Sequence, residues 1–146
     1  MNQATLKILN RSKNPLPSYQ TEGASGMDLH VSLSEDITIQ PLERVLVPTG
    51  LFLEIPEGYE GQVRPRSGMS IKHGITLINA VGTIDCDYRG ELKIPLVNIS
   101  NEPYTLKDGE RVAQLVIAKY ERVDCVEVSE LSDTERGEGG FGSTGK

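Results

Sequence analysis

The chain is 146 residues long, enough for one globular domain with a buried core and too short for two of ordinary size. Its formal charge of -6 and pI near 5.0 argue against a general nucleic-acid or anionic-membrane surface, which needs a basic field, so any polyphosphate ligand must be held by a few local cations. No apolar run approaches the roughly 18 residues of a membrane-spanning helix, and MNQATLKILNR lacks the apolar core of a signal peptide, which makes a soluble cytoplasmic protein the expectation.

In chain order, short β-branched groups alternate with Gly and Pro rather than recurring at helical spacing. Strands are predicted at Thr5 to Leu9, Ile37 to Ile39, Arg44 to Val47, Leu51 to Ile55, Ile75 to Ile78, Leu92 to Val97, Arg111 to Ile117 and Asp124 to Val128. Turns fall at Glu57-Gly58 and Asp108-Gly109, the second a hairpin signal if its flanks pair. Only Ser67 to His73 invites a short helix, with Ser67 or Ser70 as cap and Gly74 as stop. The pattern is all-β: a sandwich, jelly roll or barrel. Cys86 and Cys125 have no metal-ligand spacing and are read as thiols, and His30 and His73 have no partners at ligand spacing.

From about Ser129 the apolar pattern stops, which divides the chain into a domain over 1–128 and an arm over 129–146. Five of the eleven residues from Arg136 onward are Gly, as in an ordinary loose terminus. Yet the arm also carries Phe141, Arg136, Ser143 and Thr144, a set suited to stacking on a base and holding phosphate, and so to a lid. Its end, GFGSTGK with Gly140, Gly145 and Lys146, imitates part of a P-loop, but no strand leads in and no Ser or Thr follows the lysine.

Chemistry concentrates in GTIDCDYRG between Gly82 and Gly90, whose glycines suggest a tight hairpin carrying Asp85 and Asp87. An ordinary aspartate, with a pKa of about 3.9, is ionised at neutral pH and can take a proton from water. The spacing does not choose between the two carboxylates, and Asp also favours turns for structural reasons. Arg64, Arg66 and Ser67 set two guanidinium forks and a hydroxyl beside Pro65 and Gly68, which suits phosphate oxygens or equally a solvated basic edge. Gln114 is a neutral amide interrupting an apolar strand.

Together and in order, these segments resemble the trimeric dUTPase family, whose five motifs read here GASGMDL (23–29), RPRSGMS (64–70), INAVGTIDCDYRG (78–90), GERVAQLVI (109–117) and RGEGGFGSTG (136–145). The resemblance implies a β jelly roll assembled as a threefold homotrimer, with each active site built from three subunits. It also implies hydrolysis of dUTP to dUMP and pyrophosphate with Mg2+, limiting uracil incorporation into DNA and supplying dUMP for dTMP synthesis. By position, Asp85 resembles the carboxylate that activates water for in-line attack on the α-phosphorus. Asn79, helped by backbone groups of Gly82, Thr83 and Ile84, resembles the uracil reader, and Tyr88 the residue that packs under the deoxyribose and excludes a 2′-hydroxyl. Arg66, Ser67, Gly68 and Gln114 resemble the phosphate contacts, and Asp28 an outer-shell magnesium residue acting through water. In the arm, Phe141 would stack over uracil, Arg136 would pair with the γ-phosphate, and Gly142, Ser143 and Thr144 would complete the substrate contacts. The departures are Met27, where the family often has Tyr, and Cys86.

Two rivals stand beside this reading. A dCTP deaminase of the same superfamily needs a Glu general base a few residues past the hairpin, where this chain has Pro95, although Glu91 lies close by. A non-catalytic jelly-roll trimer would have no reason to hold Asp85, Asn79, Tyr88, Arg136 and Phe141 together.

Overall fold

The computed structural model describes residues 3–145, so Lys146 and the first two residues lie outside it. Among the described residues there are ten strands and one short helix: β1 Lys7–Asn10, β2 Gly26–His30, β3 Ile37–Ile39, β4 Arg44–Glu54, β5 Tyr59–Pro65, α1 Ser67–His73, β6 Ile75–Leu77, β7 Gly82–Ile84, β8 Glu91–Asn98, β9 Tyr104–Leu106 and β10 Arg111–Lys119. They form two four-stranded antiparallel sheets, ordered β1-β4-β8-β6 and β2-β10-β5-β7, with a β3-β9 ladder beside them. The fold is an all-β jelly roll, all-β as the sequence pattern implies and a jelly roll as the family resemblance implies.

The core fills because strand side chains alternate. On β8, Leu92, Ile94 and Leu96 are buried, and Val47, Leu51 and Leu53 of β4 meet them from the same sheet. Leu29 of β2, Val63 of β5 and Val112 and Leu115 of β10 come from the other sheet. Glu91, Lys93 and Pro95 of β8, with Leu46 of β4, therefore face outward, and this outer face carries the site described below.

Several local expectations are corrected. Arg44 to Val47 and Leu51 to Ile55 are one strand, β4, whose register against β8 shifts between Pro48 and Phe52; the bulge accommodates Pro48 and lets Gly50 adopt φ 71 against Ser12. Asp108-Gly109 turns the chain, but its flanks do not pair, since β9 joins β3 and β10 joins β2 and β5. The Asp108 carboxylate instead accepts from the Leu33 N–H at 2.8 Å, tying the turn to the β2–β3 connection. The 82–90 segment is likewise not a hairpin: β7 pairs with β5 while β8 pairs with β4 and β6, so residues 85–90 cross between sheets.

Neither Ser67 nor Ser70 caps α1; Arg66 holds the cap position without a side-chain bond, and the Ser70 hydroxyl donates to the Ile75 carbonyl at 3.3 Å. Gly74 ends the helix in the left-handed conformation, as expected. Asp124 to Val128 forms no strand: Val126 and Val128 are exposed and find no neighbouring strand to pair with in this chain. β2, β5, β7 and β9 are not among the predicted strands. On β5 the inward position 61 is a glycine, whose missing Cβ would sit 3.0 Å from Ile55 and 3.2 Å from Leu115, so the apolar alternation that marks a strand is absent.

Asn98, fully buried at the end of β8, joins three parts of the fold. Its amide donates to the carbonyls of Ile39 (2.9 Å) and Glu102 (2.7 Å), and its oxygen accepts from the Ser100 N–H (2.9 Å) and hydroxyl (2.7 Å). Asn98→Ala leaves these groups unpaired, and a loss of about 2–4 kcal/mol is expected, read as a lower urea midpoint at unchanged m-value.

Candidate active site

A cleft of about 620 Å³ lies on the outer face of β8, lined by Leu46, Asn79, Thr83, Ile84, Asp85, Tyr88, Glu91, Leu92, Lys93 and Pro95. Five of the sequence-predicted residues, Asn79, Thr83, Ile84, Asp85 and Tyr88, thus share one concavity. Gly82 belongs with them: a Cβ there would lie 3.3 Å from the Asn79 amide nitrogen, so a glycine lets that amide sit against the β7 backbone. Asp85 is exposed at the mouth of the crossing segment, and the Tyr88 N–H donates to its carbonyl at 3.2 Å.

Two contacts shape this crossing. Arg89 donates through Nη1 to the carbonyls of Cys86 (2.7 Å) and Tyr88 (3.2 Å), bracing the turn that presents Asp85. Tyr88 folds back so that its hydroxyl donates to the Glu91 carbonyl at 2.9 Å. A Cβ at Gly90 would lie 2.6 Å from the Tyr88 ring carbon Cζ, so glycine there lets the ring fold back into this position. On the far side, the Cys86 sulfur lies 3.6 Å from the Tyr120 hydroxyl, a contact that is the first cause of the Tyr120 phenol being held above its ordinary range.

The second group of predicted residues sits on the other sheet and lines none of that cleft. Asp28 of β2 accepts from Arg66 Nε at 3.1 Å and from Arg111 Nη1 at 3.2 Å. Arg66 Nη1 also donates to the Arg111 carbonyl at 3.1 Å, so this guanidinium is fixed on two sides before any ligand arrives. Gln114, opposite Asp28 in the β2–β10 register, donates to the Pro65 carbonyl at 2.9 Å. A Cβ at Gly26 would meet its amide oxygen, so glycine there leaves the Gln114 amide undisturbed in this position. Ser67 is exposed at the start of α1, and a Cβ on Gly68 would meet nothing within 4 Å, so open space lies over this backbone.

The third group is the arm. After β10 no strand or helix occurs among the described residues, and 121–138 are exposed. Residues 136–145 turn on themselves: Arg136 Nε donates to the Gly139 carbonyl at 2.7 Å, and the Ser143 N–H donates to that of Gly140 at 3.0 Å. Phe141 is fully exposed at φ 51, and neither it nor Arg136, Gly142, Ser143 or Thr144 lines the cleft.

Sequence reasoning missed Gly26, Gly90 and Arg111 as supports and used Glu91 only to weigh a rival. Their roles come from contacts across strands, which no local pattern announces; the one available signal was their place inside or beside the five motifs.

The match to known proteins follows the same residues. A family model described as dUTPase matches residues 12–145. The deoxyuridine 5'-triphosphate nucleotidohydrolase of Finegoldia magna is 61% identical over 140 residues, covering 96% of this chain and 98% of that protein. The protein of the same name from Fusobacterium nucleatum subsp. nucleatum is 56% identical over 146 residues and covers 100% of both. Among solved structures, the dUTPase of Staphylococcus bacteriophage 80alpha with dUPNHPP superposes with a TM-score of 0.87 at 30% identity, covering 97% of this chain and 99% of that one. By family model, by relatives at more than half identity and by fold, this chain belongs to the dUTPase family, the hydrolases of dUTP.

Proposed function

We propose that the cleft around Asp85 binds the deoxyuridine end of dUTP and that Asp85 is the general base for attack of water on the α-phosphorus. The observation that carries this reading is the convergence of Asn79, Thr83, Ile84, Asp85 and Tyr88 on one concavity. Asn79 and the backbone of residues 82–84 read uracil, and the Tyr88 ring supports the sugar. The Asp85 carboxylate takes the proton as the water oxygen bonds to the α-phosphorus. The bond from that phosphorus to the oxygen bridging to the β-phosphate breaks, and pyrophosphate leaves with its electron pair, giving dUMP. The cytoplasmic role that follows is to keep dUTP out of DNA and to supply dUMP for dTMP synthesis.

The triphosphate contacts are assigned to Arg66, Ser67, the backbone at Gly68, and Gln114, which in a single chain lie apart from the cleft. A homotrimer with shared sites accounts for that separation and for apolar side chains left exposed in one chain, Ile71, Ile78, Val81 and Ile99 among them. The domain of residues 1–128 is then the trimer-forming body, and 129–146 the arm that closes Phe141, Arg136, Gly142, Ser143 and Thr144 over a site.

No cluster of three or more His, Cys, Asp or Glu able to hold a metal occurs among the described residues. The single carboxylate assigned to the metal, Asp28, suits outer-shell contact with Mg2+, a hard ion that keeps its waters and is carried chiefly by phosphate oxygens. When bound it would offset triphosphate charge and orient the chain of phosphates for in-line displacement. Asp28 has acceptor capacity left beyond its two guanidinium bonds and would meet the ion through water.

The reading is tested by pyrophosphate release from dUTP, dCTP, dTTP and UTP with Mg2+, where only dUTP should turn over fast. Ammonia released from dCTP would transfer the chain to the deaminase branch. Tyr88→Ala is expected to erode the preference for dUTP over UTP by about 10- to 100-fold, the scale on which a pocket discriminates one small group. An unchanged dUTP/UTP ratio would remove the sugar gate from Tyr88.

A further inference from the structure

Glu91 presents an unexplained polar atom. Its Oε2 is the single buried side-chain oxygen or nitrogen without a hydrogen-bond partner among the described residues. The residue opens β8 on the outward face, lines the cleft with Asp85 and Tyr88, and stands opposite Phe52 in the register with β4. A carboxylate oxygen shielded from solvent with no donor is costly, so a donor is expected to complete it when the cleft is filled.

The donors that dUTP can offer are few. Its phosphate oxygens and the uracil carbonyls only accept, which leaves the N3–H of the base, the 3′-hydroxyl of the sugar and the attacking water. Asn79 and the 82–84 backbone lie where the base is assigned, and Asp85 is assigned the water. The remaining donor is the 3′-hydroxyl. Position agrees with this elimination: the Tyr88 hydroxyl donates to the main-chain carbonyl of Glu91, so the residue assigned to the sugar is held against the backbone of the residue whose side chain lines the same cleft.

We propose that Glu91 is a specificity-determining residue that accepts a hydrogen bond from the 3′-hydroxyl of the deoxyribose. This selects substrates with a free 3′-hydroxyl over chain-terminating 2′,3′-dideoxynucleotides. It rests on the placement of the sugar at Tyr88. The competing partner for the carboxylate is the Lys93 ammonium, two residues along β8 on the same face.

The experiment compares kcat/KM for dUTP and 2′,3′-dideoxyUTP, which differ only in the 3′-hydroxyl, in the full-length wild type, Glu91→Gln and Glu91→Ala. Wild type is expected to prefer dUTP by about 10- to 100-fold, the range for a hydrogen bond to a charged group. In Glu91→Ala the ratio should fall to within about threefold of unity, with the loss on dUTP and little change for the dideoxynucleotide; Glu91→Gln, which keeps the shape and one neutral acceptor, should lie between. Equal losses on both substrates, or a wild type indifferent to the 3′-hydroxyl, would overturn the proposal and give Glu91 to Lys93 or to packing. Should Glu91→Ala lose its fold by circular dichroism, the Glu91→Gln ratio decides alone. The sugar placement is read separately through the UTP preference of Tyr88→Ala, so failure of one reading is not mistaken for failure of the other.

Discussion

Asp85→Asn is expected to lower kcat for dUTP by about 10²- to 10⁴-fold, the contribution of a positioned general base, while KM stays within a few-fold of wild type. The amide keeps the size of the carboxylate and can still hydrogen-bond a water, but it cannot take its proton. The neighbouring Asp87→Asn is the control: Asp87 is exposed on the same crossing segment but does not line the cleft, and nearly full activity is expected. Steady-state pyrophosphate release decides the matter, and an Asp87 variant that fails while the Asp85 variant works would reverse the assignment. A carboxylate presented at the cleft by a turn that Arg89 braces from behind has little freedom to be replaced by its neighbour two residues on.

Deleting residues 136–146 is expected to reduce kcat/KM for dUTP by about 100-fold or more, with the thermal midpoint and the assembly state of the remaining chain unchanged. Residues 136–145 hydrogen-bond to partners within the arm, and none of the described arm residues belongs to the core cluster, so removal should not unpick the sheets. What it removes is a set of groups that gain their value on closure, when the arm excludes water and adds donors to the developing charge. Phe141→Ala should reproduce part of the loss. Full turnover by the truncated chain would end the lid reading, whereas a lowered midpoint would show the arm to be structural.

Changes of chain direction were legible because they demand particular residues: Gly74 stops α1, and Gly82 and Gly90 flank the segment that carries Asp85. The long apolar strands were legible for the opposite reason, since Leu92, Ile94 and Leu96 can alternate only as a strand. β5 was hidden because glycine stands at one of its inward positions, and its outward face is the polar ladder of Glu60, Gln62 and Arg64, in which each side chain bonds the next. Pairing partners were beyond local reading altogether. A Gly-flanked turn has the same signature whether its strands meet or diverge into different sheets, and both 82–90 and 108–109 diverge. The Asp28 to Arg66 and Arg111 bonds join residues 38 and 83 positions apart, a distance over which no spacing rule operates.

The two-residue period of β8 acts as a reading frame shared by stability and chemistry. Its even positions Leu92, Ile94 and Leu96 are core, and its odd positions Glu91, Lys93 and Pro95 are the floor of the cleft. Slipping the frame by one residue would send a carboxylate and an ammonium into the core and three leucine-sized side chains into the cleft at the same moment. Insertions and deletions are therefore closed to this strand, but side-chain exchange at 91, 93 and 95 is open, because those positions carry none of the inner packing. Any diversification of substrate preference along this strand would run through three alternate residues on a fixed backbone.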